Sequence, residues 1–475
     1  MIRPWLRSAS ACLSLALLSS LGAAGAARAT HHPGGQDCLD RSVPLSVEES
    51  RLTFALPGYA PFSQLMIEGA GFQDFTPRLV QQLCGARSRE AAEKIVARNA
   101  GRLWDMAVDR AQRRGPVRGT LPYSDDRPLY WTRVQAMAAI RQWAPSFALF
   151  AGHRLELIEK FDRTSRGMSE INLPAGGAVK RVIVSGFDPY TLDGGTGGNN
   201  IRHGNPSGAT ALSLDGTRHR TSDGRVAFIE AYTLPVSFPE FRRGYLEDTV
   251  GPFLLPGPRR ADASITVSQA GGAVFNLEQW NARYHGITLG NDRFRPCPPV
   301  GGVPQLAINN PECNTVVVDR WGGPPTFDLR NPPQWTAATL PVEQMIAART
   351  GVGVPRPPGD TWPDESEAFG VQWRTTNTRF PDCASTVRET SDSPPDPASC
   401  SYSGSGGNYL SNESAYRNTL LRDRMGLTIP AGHIHTPDMQ HFETDYAPSD
   451  ATFDAWRLSI AQQARRLIHV VADEA

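Results

Sequence analysis

Three short runs constrain this chain most. Arg181-Val182-Ile183-Val184-Ser185, Arg225-Val226-Ala227-Phe228-Ile229-Glu230-Ala231 and Ser264-Ile265-Thr266-Val267-Ser268 read as short buried strands, the first ending in a glycine-containing loop. Helical patterns lie between and after them, which predicts a layered α/β domain. Residues 73–163 have another texture. PRLVQQLCG, AAEKIVARNAGRLWDMAVDRAQRR and WTRVQAMAAIRQWAPSFALFAGHRLELIEKF repeat apolar residues at three- and four-residue spacing, which predicts helices. The stripe of Leu103, Trp104, Met106, Ala107 and Ala111 reads as a packed helix face. Residues 30–58 look irregular, and 172–179 (NLPAGGAV) has the composition of a linker. The expected division is a signal peptide at 1–29, a mainly helical region at 30–175, and an α/β domain at 176–475. Loop insertions are expected at about 287–335 and 350–405, and the Pro/Gly/Ser-rich runs GVGVPRPPGDTWPDES and TSDSPPDPASCSYSGSGG read as surface loops.

Lys plus Arg and Asp plus Glu each total 48, so the formal charge is zero and no basic footprint for nucleic acid is present. The N-terminus places Arg3 and Arg7 before an apolar stretch through Leu21, then Ala27-Arg28-Ala29. That is the layout of a secretory signal with a small-x-small cleavage site. The apolar run is too short to span a membrane stably. The expectation is an exported protein, periplasmic or extracellular, beginning near Thr30. Cys12 leaves with the signal, and Cys38, Cys84, Cys297, Cys313, Cys383 and Cys400 remain. An even set in an oxidising compartment favours disulfides. Many connectivities are open; nearness in sequence favours 38–84, 297–313 and 383–400. No CxxC, HExxH or Cys/His run points to a metal. The glycine cluster LDGGTGGNN at 192–200 lacks the order of a phosphate-binding loop. Neither a metal nor an organic cofactor is expected.

The stretch Gly406-Gly407-Asn408-Tyr409-Leu410-Ser411-Asn412 puts a small hydroxyl at the seam between a glycine turn and a helical run. Ser there can cap free backbone N–H groups, or act as a nucleophile beside N–H groups that stabilise an anion. Other segments bear on the choice. Ser185-Gly186-Phe187-Asp188-Pro189-Tyr190 is followed by Asn205-Pro206-Ser207; Tyr232-Thr233-Leu234-Pro235-Val236-Ser237-Phe238 comes next. Val267-Ser268-Gln269-Ala270-Gly271-Gly272 leads to Asn276-Leu277-Glu278, and Thr339-Leu340-Pro341-Val342 follows. After the Ser411 stretch comes Gly432-His433-Ile434-His435-Thr436-Pro437. In this order the segments resemble the motifs of pyroglutamyl peptidase I, the pyrrolidone-carboxylate peptidase family, over roughly residues 180–475.

The resemblance implies a three-layer α/β/α sandwich with a mixed central sheet. It implies hydrolytic removal of an N-terminal pyroglutamate from a peptide substrate. It also implies a triad of Ser411, His435 and Glu278, with Phe187, Tyr190 and Gln269 at the substrate ring. Two departures stand out. The family's nucleophilic cysteine is Ser411 here, and its arginine after the glycine pair is Ala273. A serine hydroxyl needs a base to take its proton, which His435 can do while Glu278 orients the imidazole. An oxidising compartment supplies a motive, because an exposed low-pKa thiol oxidises or shuffles there. The rival expectation is an exported descendant that kept the fold as a peptide-binding or structural protein and lost the chemistry. A third makes the helical region a partner-docking module. Of the remaining polar residues, His433 is expected to pack or hydrogen-bond, Ser405 to sit in a flexible loop, His441 and Glu443 to pair on the surface, and Glu413 and Asp423 to be ordinary helix charges.

Overall fold

The computed structural model describes residues 38–115, 119–196, 198–286, 288–303, 305, 313, 332–439 and 441–475. The expected signal peptide and most of the expected insertion at 287–335 lie outside the described residues. Helices come first: α1 (Val47–Ser50), α2 (Phe62–Gly69), α3 (Phe75–Cys84), α4 (Arg89–Ala111), α5 (Arg127–Gln142) and α6 (Ala151–Thr164). Ser88 caps α4 by accepting from Ala91 N, and Ala92, Val96, Ala100, Leu103, Trp104 and Ala107 bury one face at helical spacing. α5 is buried along almost its whole length, with Arg127 and Arg133 inside. Of the stretch 30–58 expected to be irregular, the described residues 38–58 are more ordered than that. Ser46 accepts from Glu49 N while the Glu49 carboxylate accepts from Ser46 N, a capping box that starts α1.

The second part runs β1 (Val179–Phe187), a small hairpin of β2 (Gly195–Thr196) and β3 (Asn199–Asn200), α7 (Pro206–Leu214), β4 (Thr217–Arg220) and β5 (Val226–Leu234). It continues with α8 (Phe238–Arg242), α9 (Tyr245–Val250), β6 (Ala263–Gln269), β7 (Val274–Glu278), β8 (Trp280–Ala282), β9 (Trp335–Ala337) and α10 (Val342–Ala347). It closes with β10 (Gly370–Arg374), β11 (Asn377–Phe380), β12 (Glu389–Ser391), β13 (Cys400–Ser403), α11 (Leu410–Arg424), β14 (Ala431–Thr436) and α12 (Ala451–Glu474).

Seven strands form one sheet in the order β10-β7-β14-β6-β1-β5-β4. β1 pairs parallel with β5 and β6, β6 with β14, and β7 with β10. The β7–β14 and β4–β5 pairs are antiparallel, so the sheet is mixed. Successive strand residues face opposite sides, and β1 shows the consequence. Val182 and Val184 pack with Ala211 and Leu214 of α7 and with the apolar face of α12. Ile183 packs on the other side with Tyr245 and Leu246 of α9 and Leu421 of α11. Helices thus cover both faces in a three-layer α/β/α sandwich, as expected.

Two expectations need correction. The insertion at 350–405 is more than surface loop: it supplies β10 at the sheet edge and a small sheet of β12, β11 and β13. The linker composition at 172–179 conceals Leu173, which is fully buried against the α9 side of the core. Cys38–Cys84, Cys297–Cys313 and Cys383–Cys400 are paired as sequence proximity suggested.

Candidate active site

Alternation along two adjacent strands builds the site. In β6 and β14, Ile265, Val267 and Ile434 enter the core beneath α12. Ser264, Thr266, Ser268, His433 and His435 therefore point to the face covered by α11. Register sets His433 beside Thr266 and His435 beside Ser268. Across the antiparallel β7–β14 pair, Glu278 lies opposite His433, which makes it the diagonal neighbour of His435. His435 Nδ1 donates to Glu278 Oε1, with both side chains buried. Opposite an ionised carboxylate, which can only accept, a neutral imidazole would carry its proton on Nδ1 and leave the Nε2 lone pair free.

His433 holds the neighbouring place without sharing the chemistry. Its Nδ1 lies 2.7 Å from Thr266 Oγ1 and its Nε2 2.8 Å from Ser268 Oγ. Burial, with His435 beside it, holds its pKa well below the usual imidazole value, so it is uncharged at neutral pH. Its ring meets that of His435 edge-on at 4.6 Å and limits how the imidazole can tilt. Ligand atoms of Glu278, His433 and His435 lie within 4.8 Å of one another, a spacing a cation could bridge. Both nitrogens of His433 and Nδ1 of His435 are already engaged, so a metal would have to displace these hydrogen bonds.

α11 brings Ser411. The residue preceding the helix is Tyr409, and Ser411 is the second helical residue rather than a cap. The backbone ladder begins with Glu413 N donating to Tyr409 O at 3.0 Å. The N–H groups of Leu410, Ser411 and Asn412 therefore have no intrahelical partner. Asn412 pins this turn to β8: its Oδ1 accepts from Ala282 N at 2.9 Å and its Nδ2 donates to Ala282 O at 2.8 Å. Ser411 Oγ donates to Gly406 O at 3.4 Å and makes no hydrogen bond to His435 among the described residues. Gly406 also touches the carboxylate, since a Cβ built on it would lie 2.0 Å from Glu278 Oε2. Serine, glycine and the Glu278–His435 pair are thus consecutive neighbours.

A small hollow of about 30 Å³ opens beside them, and Phe187, Tyr190, Gln269, Ser268, Tyr409 and Ser411 help to line it. All three residues expected at the substrate ring therefore share one hollow with the expected nucleophile. Gln269 Nε2 donates to Tyr190 OH at 3.1 Å and to Asp438 Oδ1 at 3.2 Å. Its buried Oε1 has no partner among the described residues. Phe187 serves core and cavity together, stacking on Phe241 at 6.2 Å.

Several polar residues do more than their local sequence suggests. Glu413 is no ordinary helix charge. Fully buried, it accepts from His285 Nδ1 at 2.7 Å and from Arg417 Nη2 at 2.7 Å, and Arg417 Nη1 reaches Glu247 at 2.8 Å. Those opposed charges keep the Glu413 carboxyl below its ordinary pKa despite burial. Ser405 is not in a flexible loop: it is buried, and its Oγ accepts from Trp280 N at 3.1 Å. His441 stacks on Trp456 at 3.7 Å, while Glu443 takes the Thr452 hydroxyl, so the expected surface pair is replaced by two separate contacts. Asp438, which directly follows the His435 motif in sequence, is a further polar residue at this site through its contact with Gln269.

Family models described as PA0049, C-terminal domain, and PA0049 N-terminal domain match residues 181–440 and 26–162. The chain is 41% identical to the Pseudomonas aeruginosa protein called "Uncharacterized protein PA0049", over 96% of this chain and 95% of that one. Among solved structures, a mutant pyrrolidone carboxyl peptidase from Pyrococcus furiosus is 18% identical with a TM-score of 0.35, covering 62% of this chain and 99% of that one. Bacillus amyloliquefaciens pyroglutamyl peptidase I is likewise 18% identical, with a TM-score of 0.32 and coverage of 60% and 95%.

Proposed function

This chain belongs to the PA0049 family, and we propose that it is an exported serine-type amide hydrolase that removes N-terminal pyroglutamate from peptides. One observation carries the reading: Ser411 and the residues expected at the substrate ring line a single cavity, next to a buried His435–Glu278 pair. In the proposed reaction Ser411 Oγ attacks the carbonyl carbon of the pyroglutamyl amide. His435 Nε2 takes the hydroxyl proton, and Glu278 stabilises the resulting imidazolium. The oxyanion is received by backbone N–H groups in the first turn of α11. Collapse of the intermediate breaks the C–N bond, and His435 returns the proton to the departing amine. Water then attacks the acyl-serine by the same route and releases pyroglutamate.

At 3.4 Å the Ser411–Gly406 contact is weak. The proposed reaction requires Ser411 Oγ to exchange this contact for one to His435 Nε2, and catalytic links of this kind commonly tighten only when substrate is bound. The three disulfides fit an oxidising compartment, where serine has the advantage over a reactive thiol. Among the described residues no helix is long and apolar enough to cross a membrane.

That same contact, with Ala273 standing where the resembling family has arginine, favours the second reading of a peptide-binding protein without turnover. A fluorogenic pyroglutamyl amide separates the two. Hydrolysis by the mature protein that resists thiol alkylation, and that falls by about 10³-fold or more in Ser411→Ala, supports the hydrolase. Turnover confined to Ser411→Cys supports the binder.

A further inference from the structure

The turn that carries Phe187 and Tyr190 is held from outside its own domain. Between them lies Asp188, whose buried carboxylate meets two arginines of the helical region. Arg133 of α5 donates to Oδ1, and Arg166, just beyond α6, donates to Oδ2 at 2.6 Å. Asp162 completes the cluster, accepting from Arg166 Nε at 3.0 Å and lying 3.5 Å from Arg133 Nε. Two cations and two anions thus balance, with every side chain at most 9% exposed. Arg133 Nε and Nη1 have no hydrogen-bond partner among the described residues, so its one hydrogen bond is to Asp188.

A second tie runs through the next motif. Asp126, at the start of α5, accepts from Asn205 N at 2.8 Å, and Asn205 Nδ2 donates to Asp188 O at 3.0 Å. Asn205 Oδ1 accepts from Ser207 Oγ at 2.7 Å, and that hydroxyl accepts from Phe187 N at 3.0 Å. Each link fixes backbone within a residue or two of the cavity wall. Desolvated, charge-assisted bonds of this kind hold geometry more tightly than surface pairs do.

We infer that Arg133 and Arg166 are positioning residues for the substrate turn, and that the helical region is a working part of the site. They touch no substrate; they act through Asp188 on the placement of Phe187 and Tyr190. The inference rests on reading the cavity as the substrate site, and its test carries one arm that does not depend on turnover. In full-length mature protein, hydrogen exchange of the peptide spanning 183–192 is compared among wild type, Arg133→Met and Arg133→Lys. Exchange should rise roughly tenfold in Arg133→Met, with α11 and β14 unchanged, and return most of the way in Arg133→Lys. For the pyroglutamyl amide, KM should rise about fivefold or more while kcat stays within about twofold.

Unchanged exchange in 183–192, or a uniform rise across the chain, overturns the inference whatever the turnover. A local rise in a protein that never cleaves the amide upholds the clamp and defeats the hydrolase reading alone. Should Arg133→Met fail to fold, Asp188→Asn keeps both arginines and the volume of the turn and gives the same readout.

Discussion

Gly406 is the residue with least freedom in the site. A methyl group there would meet the carboxylate that holds His435, and Glu278 is too deeply buried to swing aside. Gly406→Ala should therefore lower kcat/KM on the pyroglutamyl amide by about 100-fold or more, with the far-ultraviolet circular dichroism spectrum unchanged. An unaltered rate would mean that the Glu278–His435 contact is dispensable. As candidates, Ser411, His435, Glu278 and the cavity residues were readable because each lies in a short motif that resembles those of one family. Glu413 and Ser405 were not. Their partners His285 and Trp280 lie 128 and 125 positions away, and nothing local distinguishes a buried helix glutamate from a solvated one.

At the scale of the element, α11 shows how composition misleads. ESAYRNTLLRDR has the look of a solvent-facing helix, yet it is buried on nearly every side. Its polar groups are matched one by one: Asn418 to Ser264, Arg417 to Glu247 and Glu413, Arg422 to Ala337 O. Removing one partner strands the others without water. Arg417→Met should cost about 3–5 kcal/mol in urea unfolding, the range for breaking a buried ion pair. The lowered pKa of Glu413 has a pH signature of its own. Its stabilising contribution is complete above the ordinary glutamate range and disappears as pH falls through its folded value. Below the ordinary glutamate range, wild type should therefore lose stability more steeply than a Glu413→Gln variant. Parallel slopes would remove Glu413 from the account. The sheet was readable because strand runs declare themselves by alternation and branching. The edge strand β10 was hidden inside a Pro/Gly-rich insertion.

Across the whole molecule, buried charge joins the two parts. Asp125 is held ionised by Arg127 and Arg457, the latter on α12. Burial and the adjacent Asp125 push Asp126 up to about 7, so it stays protonated through mild acid. A carboxyl raised on folding stabilises the native state below its unfolded pKa and loses that contribution as pH rises through the folded value. Between about pH 4 and pH 7 the loss should reach up to about 4 kcal/mol. Asp126→Asn should flatten that slope in urea titrations, and an unchanged slope would assign the effect elsewhere. Because the parts share these ions, calorimetry should show one cooperative transition rather than two. None of this was visible in the chain: an arginine inside an amphipathic pattern reads as a solvated charge until its partner is placed in space. The Asp188 clamp has a consequence for descent. Two arginines and two aspartates that neutralise one another cannot drift singly, so across relatives they should be inherited or lost as a set, although Arg133 and Asp188 lie 55 positions apart.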